Sequence, residues 1–143
     1  MMKNDLHEIG KRVLASQPFS VLLGAELLSL AAGLAVIRVP VTPDVRQQHG
    51  HVHGGVLSYA ADNALAFAGG SVLGPGVVTS EFKINYLRPA AGDSLVARAG
   101  VVHHGRRQAV CRCDIFAASG RSETLCATAQ GTIRKVSSSV SPD

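Results

Sequence analysis

The sequence predicts an α+β domain in which a curved antiparallel β-sheet wraps around one long apolar helix, with a short helix near the N-terminus. Residues 56–68 are almost entirely apolar, which is typical of a helix buried in a core. After residue 77 the chain divides into four segments of strand length separated by turn residues. The 143 residues are the usual size of one domain, and 46% are hydrophobic, so we expect a single core shared by helix and sheet.

In chain order, residues 5–16 come first and predict a short helix, because their apolar side chains recur at helical spacing. Asp5 is a plausible cap for this helix, and Pro18 is expected to end the segment. Residues 19–29 are apolar and predict a first strand, although their leucines also fit a helix. Residues 34–39 predict a second strand.

The central helix follows a polar loop over residues 44–52. We expect the helix to end near residues 69–70, where two glycines adjoin, with a firm break at 74–76. Because the helix is apolar on nearly all sides, the sheet must shield it from water.

The rest of the chain predicts an antiparallel meander of four strands joined by short turns, over residues 77–87, 94–102, 108–117 and 123–134. Simple alternation along the first of these places Thr79 on the face opposite Phe82. We assign residues 1–136 to one domain and expect residues 137–143 to form a flexible tail.

Charge and cysteine content limit the classes of function. The formal net charge of +4 favours anionic partners, but no basic helix, zinc-finger spacing or run of stacking aromatics indicates nucleic acid. A polyanionic small molecule suits the charge equally well. The cysteines are three in number and lack the spacing of a disulfide framework, so we expect reduced thiols in a cytoplasmic protein.

No segment predicts a membrane location. The first residues lack the apolar core of a signal peptide. The run over 56–68 is too short for a transmembrane helix and contains a carboxylate, Asp62. We therefore expect no membrane partner.

Asp62 is the residue that most needs an explanation. A carboxylate inside an apolar helix is costly unless it is hydrogen-bonded or has a chemical role. It could be a structural carboxylate bonded to backbone or to Asn63 across a dimer, and from the helix alone this alternative has about the same weight as catalysis.

The surrounding residues carry a resemblance to a known family. His-Gly-Gly at 53–55, followed by Asp62 nine residues after His53, resembles the signature of hotdog-fold acyl-CoA thioesterases of the phenylacetate-pathway (PaaI-like) branch. Residues 82–93 and 104–107 are also similar to segments of that branch. The resemblance covers roughly residues 19–135, most of a chain that we treat as one domain.

The resemblance implies hydrolysis of an acyl-CoA thioester to a free acid and coenzyme A. Asp62 is then the general base or the nucleophile, and the Gly54 N–H polarises the thioester carbonyl with His53 beside it. A helix N-terminus offers unpaired N–H groups and a partial positive charge. Gly54 and Gly55 let the substrate approach this backbone closely.

Two further positions have roles that the resemblance implies less directly. Thr79 matches a hydroxyl residue that orients water in relatives, and Ser80 competes for that role one residue on. Relatives often carry an Asn six residues before the His. Here Gln47 stands at that position, and its longer side chain can still donate a hydrogen bond.

Helix geometry indicates that the site lies between two subunits. Gly54 and Asp62 are roughly 12 Å apart along one helix at 1.5 Å per residue, so one thioester carbon does not easily meet both. The simplest solution is a two-fold interface at which each chain supplies one of the two. We therefore expect a homo-oligomer, a dimer at minimum and a tetramer as the fuller assembly.

Arg88, His104, Arg106 and Arg107 lie in predicted turns and are candidate contacts for the phosphates of coenzyme A. The alternating His49, His51 and His53 could in principle bind a metal, but nothing nearby supplies a further ligand, so we predict none. Coenzyme A enters as part of the substrate, and no other cofactor is expected.

Two other functions compete with hydrolysis. A hotdog hydratase or dehydratase would act on enoyl or hydroxyacyl thioesters, but its Asp-x-Asn-Pro-x-His run is not found. A non-catalytic acyl-CoA-binding protein is the other alternative, and an intact Asp62 argues against it.

Overall fold

Within the part of the chain that the structure describes, six antiparallel strands form one sheet, and a 20-residue helix packs against its inner face. The structure is a computed structural model that describes residues 3–136, with side chains described from residue 5. The predicted tail at 137–143 lies outside the described residues. The elements in chain order are α1 (Lys3–Ala15), α2 (Pro18–Leu23), β1 (Glu26–Ala31), β2 (Leu34–Pro40), α3 (Gly54–Leu73), β3 (Val77–Tyr86), β4 (Ser94–His104), β5 (Gln108–Ser119) and β6 (Ser122–Lys135).

Helix α3 is the centre of the core, as the sequence predicts. Its inner face is made of small and aliphatic residues that are fully or almost fully buried, among them Leu57, Ala60, Ala61, Ala64, Leu65 and Ala68. The predicted end near residues 69–70 is wrong, because the helix continues to Leu73 and ends at Gly74. Gly69 serves packing instead: a Cβ there would stand 2.7 Å from Cβ of Ile133 on β6.

The strands follow the order β1-β2-β4-β5-β6-β3. The predicted four-strand meander is therefore only partly right, since β4, β5 and β6 form a meander while β3 pairs with β6 at the far edge. Helix α3 carries the chain from the β2 side of the sheet to this edge, and β4 then returns to pair with β2. One side of β3 consequently pairs with no described strand.

The predicted first strand over residues 19–29 is half wrong. Pro18 starts a short helix, α2, because its fixed φ and missing N–H suit the first helical position. Gly24, with φ of 70°, ends α2, and only then does β1 begin. In α1, Asp5 lies in the first turn rather than at the cap, because the helix starts at Lys3.

The predicted inner face of β5 is confirmed: Ala109, Cys111, Cys113 and Ile115 are all buried. All three cysteines are free and buried. Burial raises the pKa of the Cys111 thiol to about 11 and of the Cys113 thiol to about 12, so both remain protonated packing groups at neutral pH. Among the described residues, no helix is long and apolar enough to cross a bilayer.

Candidate active site

The N-terminus of α3 presents one free backbone donor. His53 is the N-cap, and its Nδ1 accepts a hydrogen bond from the Gly55 N–H at 2.8 Å. The neutral imidazole therefore carries its proton on Nε2. The Val56 N–H bonds the His53 carbonyl, whereas the Gly54 N–H has no acceptor among the described residues. The donor that the resemblance selects is thus available to a ligand.

Glycine at position 55 leaves room for the histidine cap. A Cβ on Gly55 would stand 3.0 Å from Nδ1 of His53 and 3.3 Å from its Cε1. The ring would have to move, and its hydrogen bond to the backbone would weaken with it. Gly55 therefore acts through the cap, while Gly54 is the residue whose N–H faces outward.

Tyr86, for which the sequence predicts no role, contacts the same helical turn. Its hydroxyl lies 2.5 Å from Oγ of Ser58 and donates to the Gly54 carbonyl at 3.1 Å. Tyr86 is the last residue of β3 and shares the inner face of that strand with Phe82 and Ile84. That alternation was the signal in the sequence that could have identified it.

Asp62 pairs with Thr79 across the helix–sheet interface. The Thr79 Oγ1 donates to Asp62 Oδ1 at 2.6 Å, and no described residue donates to Oδ2. Asp62 is half-buried. The pair is a carboxylate held at one oxygen and open at the other, which is the geometry a water-activating base needs.

Simple alternation mispredicts the face of Thr79, and a β-bulge is the reason. In the pairing of β3 with β6, Thr79 lies opposite Ile133 and Glu81 opposite Thr132, which leaves Ser80 as the extra residue. Thr79 therefore turns inward with Phe82, while Ser80 is exposed on the outer face. Only Thr79 of the two competing hydroxyl residues reaches Asp62.

Gln47, Gly54 and Arg88 come together around one groove of about 370 Å³. Its other lining residues are His51, Val52, Leu57, Tyr86, Leu87, Pro89 and Ala90. Oε1 of Gln47 accepts from the His49 N–H at 2.5 Å, so the acceptor end of this side chain is engaged within its own turn. The groove thus brings together Gly54, whose N–H is the predicted hydrogen-bond donor to the thioester carbonyl, and Arg88, one of the predicted phosphate contacts.

The other predicted basic residues lie elsewhere. Ser80, Arg106 and Arg107 line an open pocket of about 650 Å³, together with Arg134, which the sequence analysis missed. At the end of β4, where the turn to β5 begins, Nδ1 of His104 lies 3.1 Å from the Gly105 carbonyl oxygen. The predicted site residues thus fall into three groups: the helix start with its groove, the Asp62–Thr79 pair, and an arginine-lined surface.

Asn63 belongs to a separate polar cluster. Its Nδ2 donates to Oε1 of Gln17, Oγ of Ser20 and the Tyr59 hydroxyl, at 3.1, 3.3 and 3.1 Å. This cluster joins α2 to α3, and Ser20 within it is buried. Asn63 is therefore engaged away from Asp62 within the chain. Among the described residues, no group of three or more His, Cys, Asp or Glu side chains is close enough to hold a metal ion.

A six-stranded antiparallel sheet wrapped around one long apolar helix is the architecture of hotdog-fold thioesterase structures. The family model described as the thioesterase superfamily matches residues 49–124, more than half of the chain. The chain belongs to the thioesterase superfamily, and the hotdog fold expected from the sequence is confirmed.

Individual relatives agree with this assignment. The acyl-coenzyme A thioesterase PaaI of Escherichia coli is 40% identical over 89 residues, which is 62% of this chain and 63% of that protein. The alignment thus spans just under two thirds of that relative. A thioesterase family protein from Silicibacter pomeroyi has a TM-score of 0.86 and 32% identity, with 90% of this chain and 96% of that chain covered. The structure of the E. coli PaaI protein from the phenylacetic acid degradation operon has a TM-score of 0.84 at 28% identity, with 96% and 97% covered.

Proposed function

We propose that this protein hydrolyses acyl-CoA thioesters: water adds to the carbonyl carbon, the C–S bond breaks, and a free acid and coenzyme A leave. Asp62 removes a proton from the attacking water or itself attacks the carbonyl, and the Gly54 N–H stabilises the oxyanion that develops. The observation that carries the proposal is the Asp62–Thr79 pair, a half-buried carboxylate with one oxygen held and one open. Membership in the thioesterase superfamily supports it.

The two reacting groups are proposed to come from different subunits. Within one chain they are separated by roughly 12 Å, given eight residues of helix at 1.5 Å each. Gly54 lies beside the end of β3 at Tyr86, whereas Asp62 lies beside its beginning at Thr79. A two-fold axis through the middle of β3 would bring Asp62 close to the partner subunit's Gly54.

The free side of β3 supports such a dimer. This strand spans 10 residues at the sheet edge, and an unpaired edge of that length is a template for pairing with another chain. Antiparallel pairing of two β3 strands would extend the sheet across the interface and set two α3 helices against each other. We propose at least a homodimer, with the tetramer as its further assembly.

Coenzyme A is the proposed anionic part of the substrate. Arg106, Arg107 and Arg134 surround one open surface, and Arg88 lines the groove at Gly54. One guanidinium group can donate two parallel hydrogen bonds to the oxygens of a phosphate, which suits the pyrophosphate and the 3′-phosphate of coenzyme A. The E. coli structural relative comes from the phenylacetic acid degradation operon, which favours an aryl acyl group in the substrate. Medium-chain acyl groups are the alternative. We propose no resident cofactor and a cytoplasmic location.

The test is thiol release from a panel of aryl and straight-chain acyl-CoAs by wild type and by Asp62→Asn. The substitution keeps the size of the side chain and an acceptor for Thr79, but it removes the base or nucleophile. We expect kcat to fall by about a thousandfold or more, within the range in which removal of such groups acts.

Asp114→Asn is a matched control, because Oδ1 of Asp114 accepts from the Thr128 hydroxyl at 2.7 Å and the residue is also half-buried. It lies on β5, away from the proposed site, and should leave thiol release unchanged. Undiminished release in Asp62→Asn would overturn the role of Asp62, and no release from any thioester by wild type would overturn hydrolysis itself.

A further inference from the structure

We propose that Tyr86 is a positioning residue that holds the first turn of α3 so that the Gly54 N–H stays aimed at the thioester carbonyl. The inference rests on the proposed function, because it takes the Gly54 N–H to be the donor to the developing oxyanion. It adds a residue to which neither the sequence motif nor the spacing of Asp62 gives a role.

The first observation is a chain of hydrogen bonds that ends at the backbone of Gly54. The Tyr86 hydroxyl donates to the Gly54 carbonyl at 3.1 Å and lies 2.5 Å from Oγ of Ser58. A phenol has one proton, so Ser58 is the donor to Tyr86 when Tyr86 donates to Gly54. One side chain from β3 thereby links two successive turns of the helix.

The second observation is the position of the Tyr86 ring beside Gly54. A Cβ at Gly54 would meet Cζ, Cε1 and the hydroxyl oxygen of Tyr86 at 3.4, 3.5 and 3.5 Å, which is ordinary van der Waals contact. The ring therefore bounds the space beside the Gly54 Cα that a side chain would occupy. Gly54 and Tyr86 both line the groove at the start of α3.

The backbone of Gly54 is held on both sides. The peptide group that carries the Gly54 N–H also carries the His53 carbonyl, which accepts from the Val56 N–H at 2.9 Å. The next peptide group is held at both ends, because His53 Nδ1 bonds the Gly55 N–H and the Tyr86 hydroxyl bonds the Gly54 carbonyl. Glycine has more conformational freedom to lose than any other residue, so Tyr86 limits the rotation of Gly54 that would re-aim its N–H. An oxyanion donor stabilises charge best when its orientation is set beforehand.

The same strand then organises both halves of the composite site. Thr79 near the start of β3 orients Asp62, and Tyr86 at the end of β3 orients Gly54. Both side chains point inward from one strand because the bulge at Ser80 brings Thr79 onto the face that carries Tyr86. In the proposed dimer, Tyr86 of the partner subunit would stand beside the substrate bound at Asp62.

Tyr86→Phe tests the proposal by removing the hydroxyl and keeping the ring. We expect kcat for the best acyl-CoA of the panel to fall roughly five- to tenfold, the effect of about one hydrogen bond, with KM changed less than twofold. Ser58→Ala should give a smaller loss, and the double variant should be no slower than Tyr86→Phe alone, because both act through one chain of bonds.

Tyr59→Phe is the matched control. The sequence contains only two tyrosines, and Tyr59 bonds Ser20 in the cluster between α2 and α3 rather than the helix start. Its kcat should stay within twofold of wild type, even if its melting temperature falls. Equal kcat losses in both tyrosine variants would overturn the positioning role, because they would indicate a general effect of destabilisation.

Amide hydrogen exchange supplies a readout that does not depend on activity. Peptides covering residues 54–58 should exchange faster in Tyr86→Phe than in wild type, with the rest of α3 unchanged. Unchanged exchange there, or an unchanged kcat in an enzyme whose wild type hydrolyses acyl-CoA, would overturn the positioning role alone. Absence of hydrolysis by wild type would instead overturn the proposed function, and the role of Tyr86 in it.

Discussion

Thr79 reaches Asp62 because the strand that carries it contains one extra residue. Without the bulge, strict alternation from Phe82 would turn Ser80 inward and Thr79 outward. The bulge leaves Ser80 unpaired and restores Thr79 to the inner face, where its hydroxyl donates to the carboxylate. A single inserted residue thus decides which of two adjacent hydroxyls meets the proposed catalytic group.

Thr79→Val should lower kcat by about one order of magnitude. Valine keeps the shape of threonine but removes the hydrogen bond to Asp62, and a bond to a charged acceptor is worth roughly 1.5–3 kcal/mol. The loss should show in steady-state thiol release with the best substrate, because the freed carboxylate no longer has a fixed orientation toward water.

Thr128→Val is the control for this change. Thr128 donates to Asp114 in the same way, on strand β6, at 2.7 Å. If both valine variants lose the same stability in urea but only Thr79→Val loses activity, the Thr79 bond serves the reaction. Equal kcat values for the two variants would contradict this role.

At the scale of elements, helix α3 lies close to the sheet because its inner face is small. Alanines 60, 61, 64 and 68 are fully buried against the strands. Gly69 brings the helix closest to β6, since the side chain of Ile133 occupies the space where a Cβ would be. The position of Asp62 relative to Thr79 depends on this close approach.

Gly69→Ala should destabilise the protein by about 1–3 kcal/mol, the usual cost of inserting a methyl group into a packed core. Gly70→Ala is the adjacent control, because its Cβ would meet only one methyl group, Cγ2 of Val77, at 3.3 Å. Replacing a helical glycine by alanine gains up to about 1 kcal/mol, which should offset that contact. Equal free energies of unfolding for the two variants, measured in urea, would contradict the packing argument.

The elements that the sequence predicted well are those with a strong local signal. The continuous apolar run of α3 and the alternation of β5 are both local signals, and both elements lie where the sequence predicts them, except that α3 ends at Leu73. The apolar residues of α2 fit a strand or a helix, and Pro18, which the sequence predicts as the end of the first helical segment, starts α2 instead. The bulge at Ser80 and the place of β3 at the edge depend on pairing with β6, which is distant in sequence.

The site was predictable to a similar degree. His53, Gly54 and Asp62 lie within one helix and its cap, so a local motif carries the resemblance that predicts their roles. Tyr86 and Arg134 come from other strands and gain their positions only through the sheet. The alternation of β3 indicates the face on which Tyr86 lies, but its contact with the start of α3 follows only from the arrangement of the sheet.

At the scale of the whole molecule, α3 and β3 run in opposite directions, and this arrangement separates the two proposed reacting groups. The start of α3 meets the end of β3 at Tyr86, and Asp62 further along the helix meets the start of the strand at Thr79. In the proposed site, each chain therefore supplies two half-sites near opposite ends of β3, whose outer side pairs with no described strand. A two-fold partner would complete both.

Mixed dimers of Gly54→Pro and Asp62→Asn chains test this arrangement. Proline at the first helical position removes the N–H in question, and its Cβ would be in ordinary contact with the Tyr86 ring at 3.4 Å. The extended backbone of His53, with φ of −60° and ψ of 135°, suits a residue before proline. Each variant alone should be inactive. A mixed dimer would contain one intact site, formed by Asp62 of one chain and Gly54 of the other. Random equal mixing makes about half of the dimers mixed, so it should restore about a quarter of wild-type thiol release.

Each variant unfolded and refolded by itself is the control, and native mass spectrometry would report the share of mixed dimers. Mixed dimers that form in that share but release no thiol would show that each site lies within one chain.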